Sequence, residues 1–174
     1  MEGEDEKSDK VGSFSQASIP KRIAIVAAGA FVNIAFGLLV FLILVSSING
    51  IKYGLFATKE FLFSIGDSLK MLFTGNIGVD QMMGPVGISE VVAKTSGIRE
   101  FIYMLALISV SLGITNLLPI PALDGGKILL LIIEAIRRKP LDEKLEINIQ
   151  LLGFSILIAL SIFVTYNDII RIKG

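Results

Sequence analysis

The 174-residue sequence contains neither cysteine nor histidine. Without cysteine there can be no disulfide, no thiolate metal site and no thiol nucleophile. Without histidine the chain cannot supply a His-Glu-x-x-His zinc helix, which needs two imidazoles one turn apart and a glutamate as base. An excess of charge is missing too. The 16 Lys and Arg balance 16 Asp and Glu to a formal net charge of zero, and the charges cluster between apolar blocks, so nothing suggests a nucleic-acid footprint.

What the chain has is apolar length. Apolar residues make up 53% of it, mean hydropathy is +0.75, and they fall in blocks, the composition of a membrane protein. Residues 23–48 carry no charge and exceed the ~20 residues that cross a bilayer core. Lys21 and Arg22 precede this run, so the excess of basic residues on cytoplasmic loops places residues 1–22, a polar lead, in the cytoplasm. That lead does not read as a signal peptide, which would open basic and turn apolar at once. A second apolar stretch, 101–126, and a third, 147–167, complete a three-span reading. Between them, 127–146 is a cytoplasmic connection with Lys127, Arg137, Arg138, Lys139 and Lys144, whereas the outer connection, 49–100, spreads its basic residues thinly. Within 49–100, Leu55, Leu62, Ile65, Leu69 and Leu72 recur at helical spacing. They predict an amphipathic helix over 55–73, lying on a membrane surface or covering the bundle. The expected fold is therefore an all-α membrane protein with three transmembrane helices and an amphipathic interfacial helix.

The second span ends in Asn116-Leu-Leu-Pro-Ile-Pro-Ala-Leu-Asp-Gly-Gly126. An ordinary spanning helix avoids two prolines and a carboxylate so close together, because proline removes backbone donors and an ionised carboxylate in hydrocarbon costs several kcal/mol. A backbone broken at Pro119 and Pro121 must face protein or a polar cavity rather than lipid, and Asp124 would point into that cavity. Gly125 and Gly126 let the chain turn tightly so that a helix can resume over the apolar residues 128–136. The alternative is a cytoplasmic helix end capped by Asp124.

This stretch resembles the Asn-x-x-Pro-x-Pro-x-Leu-Asp-Gly signature of the site-two protease family of intramembrane zinc metalloproteases, in particular the bacterial regulator-of-sigma-E protease branch. Two further motifs resemble the family in the same order: Gly29-Ala-Phe-Val-Asn33 on the first span, where small residues let helices approach closely, and Gly84-Pro85-Val-Gly-Ile88 before the second. Relatives usually carry proline where this chain has Ala30, and one or more PDZ domains where it has about fifty residues of connection. The resemblance implies that Asp124 is the third zinc ligand and that Asn33, Asn116, Pro119 and Pro121 belong to the substrate-binding region. Asn33 would then hydrogen-bond an unwound substrate backbone, with Asn116 or another bundle residue as the other candidate partner.

The implied activity is regulated intramembrane proteolysis, hydrolysis of peptide bonds in membrane-spanning substrates, with zinc polarising the carbonyl and activating water and a glutamate as general base. The implied location is the cell (inner) membrane, with the site near its cytoplasmic face. Of the three zinc ligands only Asp124 is present, and no catalytic residue is. Met1 is accordingly expected to be internal to a longer protein whose upstream segment holds the zinc helix. These residues would be its C-terminal membrane portion, inactive alone. The rival reading is a non-catalytic pseudoprotease scaffold that binds transmembrane helices without cutting them.

Overall fold

The computed structural model describes residues 13–74 and 83–173; the acidic start of the lead, 1–12, and residues 75–82 of the outer connection lie outside the described residues. Those described form a short 3-10 turn, Phe14–Gln16, and six α-helices, with no strand among them: α1 Ile19–Asn49, α2 Ile51–Phe73, α3 Pro85–Ala93, α4 Ile98–Asn116, α5 Asp124–Arg137 and α6 Glu143–Lys173. Helices α1, α4 and α6 are long and apolar enough to cross a membrane. At ~1.5 Å per residue, α1 and α6, each 31 residues, are about 46 Å long, more than a hydrocarbon core requires.

Local chemistry sets the ends. Gly50, at φ 81°, takes the left-handed conformation that lets α2 start at once after α1. Helix α4 stops at Asn116 because Pro119 and Pro121 have no N–H to continue it. Arg138 closes α5 in the left-handed region (φ 54°), with Pro140 just beyond. Asp142 starts α6 as its cap, its Oδ1 accepting from Leu145 N–H at 3.1 Å.

The chain forms two compact units. The first comprises residues 13–32 and 113–154 of the described chain. Its buried side chains include Val26, Ala27, Ala30, Leu130, Leu131 and Leu141. Phe14 is buried too, with the Arg22 guanidinium 5.0 Å and the Lys127 ammonium 5.3 Å from its ring centroid. Arg22 also pairs with Glu134 at 3.2 Å, both largely buried, which ties the start of α1 to α5. Both cations are thus met by an aromatic face in a partly desolvated place, and Arg22 has the Glu134 carboxylate as well.

The second unit comprises residues 33–74, 83–112 and 155–173. Here α2 folds back along α1: Gly54 lies against Ser46, and Phe61 stacks on Phe41 at 4.6 Å and 12°. Tyr103 of α4 meets the same Phe41 at 5.8 Å. The face of α2 that meets α1 is therefore that of Gly54 and Phe61, while Leu55 and Leu62 of the predicted apolar stripe stay exposed. Periodicity placed a helix over 55–73, within the observed α2; the contact with α1 is made by the small and aromatic residues Gly54 and Phe61 rather than by Leu55 and Leu62.

On α1 the resemblance pointed to Gly29 as the place of close helix approach. Gly29 is exposed, and a Cβ there would meet nothing within 4 Å among the described residues. Close approach falls two turns later at Gly37, where a Cβ would lie 2.5 Å from Val110 Cγ2 and 2.7 Å from the Ala106 carbonyl oxygen of α4. The same crossing carries a hydrogen bond, Ser109 Oγ donating to the Asn33 carbonyl at 2.8 Å.

Candidate metal-ligand turn

Between α4 and α5 seven residues, 117–123, leave the helix, and their backbone donors can be followed one by one. Leu117 N–H donates to Ile114 O, Leu118 N–H to Thr115 O, Ile120 N–H to Leu118 O and Leu123 N–H to Ile120 O. Pro119 and Pro121 have no N–H. That leaves Ala122, whose N–H donates to Gln150 Oε1 of α6 at 2.6 Å. Every donor of the break is satisfied by protein, the condition for irregular backbone at membrane depth.

Asp124 is the first residue of α5 and half-buried, with Leu123 at the cap position in extended backbone. It does not cap a helix from outside, as the alternative reading had it. A carboxylate in the first turn is favoured by the positive end of the helix dipole. Gly125 and Gly126 behind it are helical and buried, and neither has a positive φ. Their role is not the tight turn expected of them. A Cβ at Gly125 would lie 2.2 Å from Leu118 O, and one at Gly126 2.3 Å from Ile120 O, so the break passes directly over the first turn of α5 and only glycine leaves room. The left-handed residue is Ala122, at φ 74°.

The predicted site residues divide between the units. Asn116, half-buried at the end of α4, exposed Pro119, half-buried Pro121, Asp124, Gly125 and Gly126 belong to the first, as does Gly29. Asn33, Gly84 and Pro85 belong to the second. Gly84 caps α3 with Pro85 at its first position. Asp168 of α6, 1% exposed, accepts from Gly84 N–H at 2.9 Å and from Gly87 N–H at 2.7 Å through Oδ2, and from Arg171 Nη2 at 2.9 Å through Oδ1. Sequence reasoning missed Asp168 and Gln150. Asp168 resembles any charge closing a span, and Gln150 any polar residue opening one; only the fold supplies their distant backbone partners.

The Asp124 carboxylate is a suitable zinc ligand. Among the described residues, however, no group of three His, Cys, Asp or Glu could hold a metal ion. The described residues therefore do not make a zinc centre by themselves.

Comparison with known proteins gives the family. Residues 1–160 match Peptidase family M50. The chain is 43% identical over 122 residues to the zinc metalloprotease RasP of Shouchella clausii, covering 67% of this chain and 29% of that protein. It is 44% identical over 128 residues to RasP of Bacillus licheniformis, covering 72% and 30%. It is 43% identical over 128 residues to the regulator of sigma-W protease RasP of Bacillus subtilis, again 72% and 30%. The matched region thus spans about three-tenths of these relatives' length. With the family match over most of its length, the ordered motifs and three helices apolar enough to span a bilayer, the chain is a membrane protein belonging to Peptidase family M50, the site-two proteases.

Proposed function

We propose that these residues are a membrane portion of an intramembrane zinc metalloprotease acting on membrane-spanning substrates, and that Asp124 gives one ligand to a zinc ion whose other ligands lie outside the 174 residues. The observation that carries this is the placement of Asp124. It starts α5 at the end of a break whose backbone donors are all satisfied, and Gly125 and Gly126 hold that break against its own helix turn. A ligand carried on a regular element binds metal with less reorganisation, and this carboxylate stands on the first turn of α5. The chain's own part is to hold that oxygen donor, while Asn116, Pro119 and Pro121 contact an unwound substrate; Asn33, in the second unit, is proposed to contact substrate as well. In this reading the chain alone is inactive, because a single carboxylate leaves zinc mostly hydrated. The turn lies near the cytoplasmic face of the cell membrane.

The test is reconstitution with a segment carrying the family's His-Glu-x-x-His helix. The chain alone should hold no stoichiometric zinc, and the assembly should hold one ion and cleave a transmembrane substrate. In the assembly Asp124→Asn should lose most metal affinity, since a neutral amide is a poor zinc ligand, whereas Asp142→Asn, at the cap of α6, should leave metal binding intact. Chelator-sensitive cleavage by the chain alone, or full activity of assembled Asp124→Asn, would overturn the proposal. An assembly that binds transmembrane helices but never zinc would support the scaffold reading.

A further inference from the structure

The backbone of the 117–123 break is self-contained except at one point. Four of its five N–H donors find carbonyls within residues 114–120, and the fifth, Ala122 N–H, reaches a side chain on another helix, Gln150 Oε1 at 2.6 Å. Ala122 is also the residue that stands in the left-handed region, at φ 74°, where an L-residue with a Cβ is strained by about 1–2 kcal/mol. Such a conformation persists only when its surroundings over-determine it. One turn along the same face of α6, Gly153 is buried against the neighbouring residue of the break: a Cβ there would lie 2.4 Å from Pro121 O and 2.4 Å from Pro121 Cβ. Helix α6 therefore grips the break twice, through a hydrogen bond at Ala122 and a close approach at Pro121, two and three residues before Asp124.

We propose that Gln150 is a positioning residue for Asp124: by accepting the Ala122 N–H it holds the left-handed turn that sets where the α5 helix begins and hence where the Asp124 carboxylate stands. The proposal rests on the reading of Asp124 as a metal ligand for its functional meaning, while its structural half stands on the turn alone. An acceptor is required, not a charge or a particular length. Without it the strained residue loses the partner that offsets its strain, and Ala122 N–H must find water or stay unpaired. Helix α6 has no such dependence, since its own ladder does not use the Gln150 side chain. Side chains of one length can therefore separate acceptor loss from packing loss: Gln150→Met keeps the reach and removes the oxygen, and Gln150→Glu keeps both.

Two measurements test it. In the chain held in detergent micelles, amide exchange at Ala122 and Leu123 should speed up about fivefold in Gln150→Met, the loss of one hydrogen bond. It should stay near the original rate in Gln150→Glu, with amides of residues 156–162 unchanged in both as a control for folding. Equal exchange in Gln150→Met and the original chain, or equal acceleration in Gln150→Met and Gln150→Glu, would overturn the proposal. In the assembly with the histidine-bearing segment, cobalt titration should give about tenfold weaker binding for Gln150→Met, with Gln150→Glu restored. If Asp124→Asn leaves cobalt binding unchanged, the ligand reading fails and takes the functional half of this proposal with it. If Asp124→Asn abolishes binding while Gln150→Met does not weaken it, the ligand reading stands and the positioning role is refuted.

Discussion

Ala122 stands where a glycine would be unstrained, at φ 74° between Pro121 and Leu123. Ala122→Gly should therefore stabilise the chain by up to about 1 kcal/mol, the relief of left-handed strain less the extra freedom glycine has when unfolded. Ala122→Val should destabilise it, since a β-branched residue tolerates that region least. Unfolding titrations in mixed micelles would check both signs, and a stabilised Ala122→Val would contradict the assigned backbone. The paired glycines behave oppositely. A methyl at Gly125 would stand 2.2 Å from the Leu118 carbonyl oxygen, backbone that cannot swing aside, so Gly125→Ala should cost about 3 kcal/mol or disrupt the turn outright. The same titration measures it, and a loss below about 1 kcal/mol would mean the break does not pass over α5 as described. These residues also mark the limit of what the sequence reveals. Pro119, Pro121 and Asp124 announced a broken helix and an acidic group beside it, because those side chains carry their chemistry in their identity. What glycine opposes, and which residue takes the left-handed turn, depends on backbone passing overhead, which no residue type encodes.

At the scale of the helix, the charge-free runs announced α1, α4 and α6, since lipid leaves an apolar chain almost no alternative to helix. What holds the shorter helices was not legible. Helix α3 has nine residues, and the orphan N–H groups at its start are met from α6, where Asp168 takes those of Gly84 and Gly87. The pairing is electrostatically apt, since a carboxylate is disfavoured at the negative end of its own helix and favoured at the positive end of another. Arg171 adds a cation one turn away at 2.9 Å. The glycines are part of the same joint: a Cβ at Gly84 would lie 2.8 Å from Asp168 Oδ2, and one at Gly87 2.7 Å from Asp168 Oδ1. The Gly-Pro-Val-Gly motif thus leaves room for a buried carboxylate as well as starting the helix. Asp168→Ala removes the acceptor from two buried N–H groups and leaves Arg171 uncompensated. It should cost about 2–4 kcal/mol, and Asp168→Asn, which keeps one acceptor oxygen, clearly less. Thermal unfolding of the two variants, followed by protease nicking around residues 84–97, would check the order. Equal stability of Asp168→Ala and the original chain would show that α3 is held by other contacts.

For the molecule as a whole, the solvent must be lipid over much of the surface. Phe31, Phe36, Leu39 and Ile43 on α1 and Leu152, Phe154, Ile156 and Ile162 on α6 are all more than half exposed, an apolar surface that water would penalise and hydrocarbon does not. Within the first unit, the packing fixes which segments share a side. The Arg22–Glu134 ion pair ties the start of α1 to α5, so Lys21 and the basic run Arg137, Arg138 and Lys139 belong to one face of the membrane. Within the second unit, the Asp168 joint holds α3 against the C-terminal end of α6. Cytoplasmic connections are enriched in Lys and Arg, and the short segment holding Arg137, Arg138 and Lys139 is the densest basic run in the chain, so we propose that this face is the cytoplasmic one. Single cysteines give a clean test because the chain has none of its own. In intact cells a cysteine at Lys139 should react only with a membrane-permeant maleimide, and one at Lys94, just beyond α3, should also be blocked by an impermeant reagent. The reversed pattern would turn the protein over in the membrane and put Asp124 near the outer face, while labelling of both sites from one side would contradict the odd number of spans.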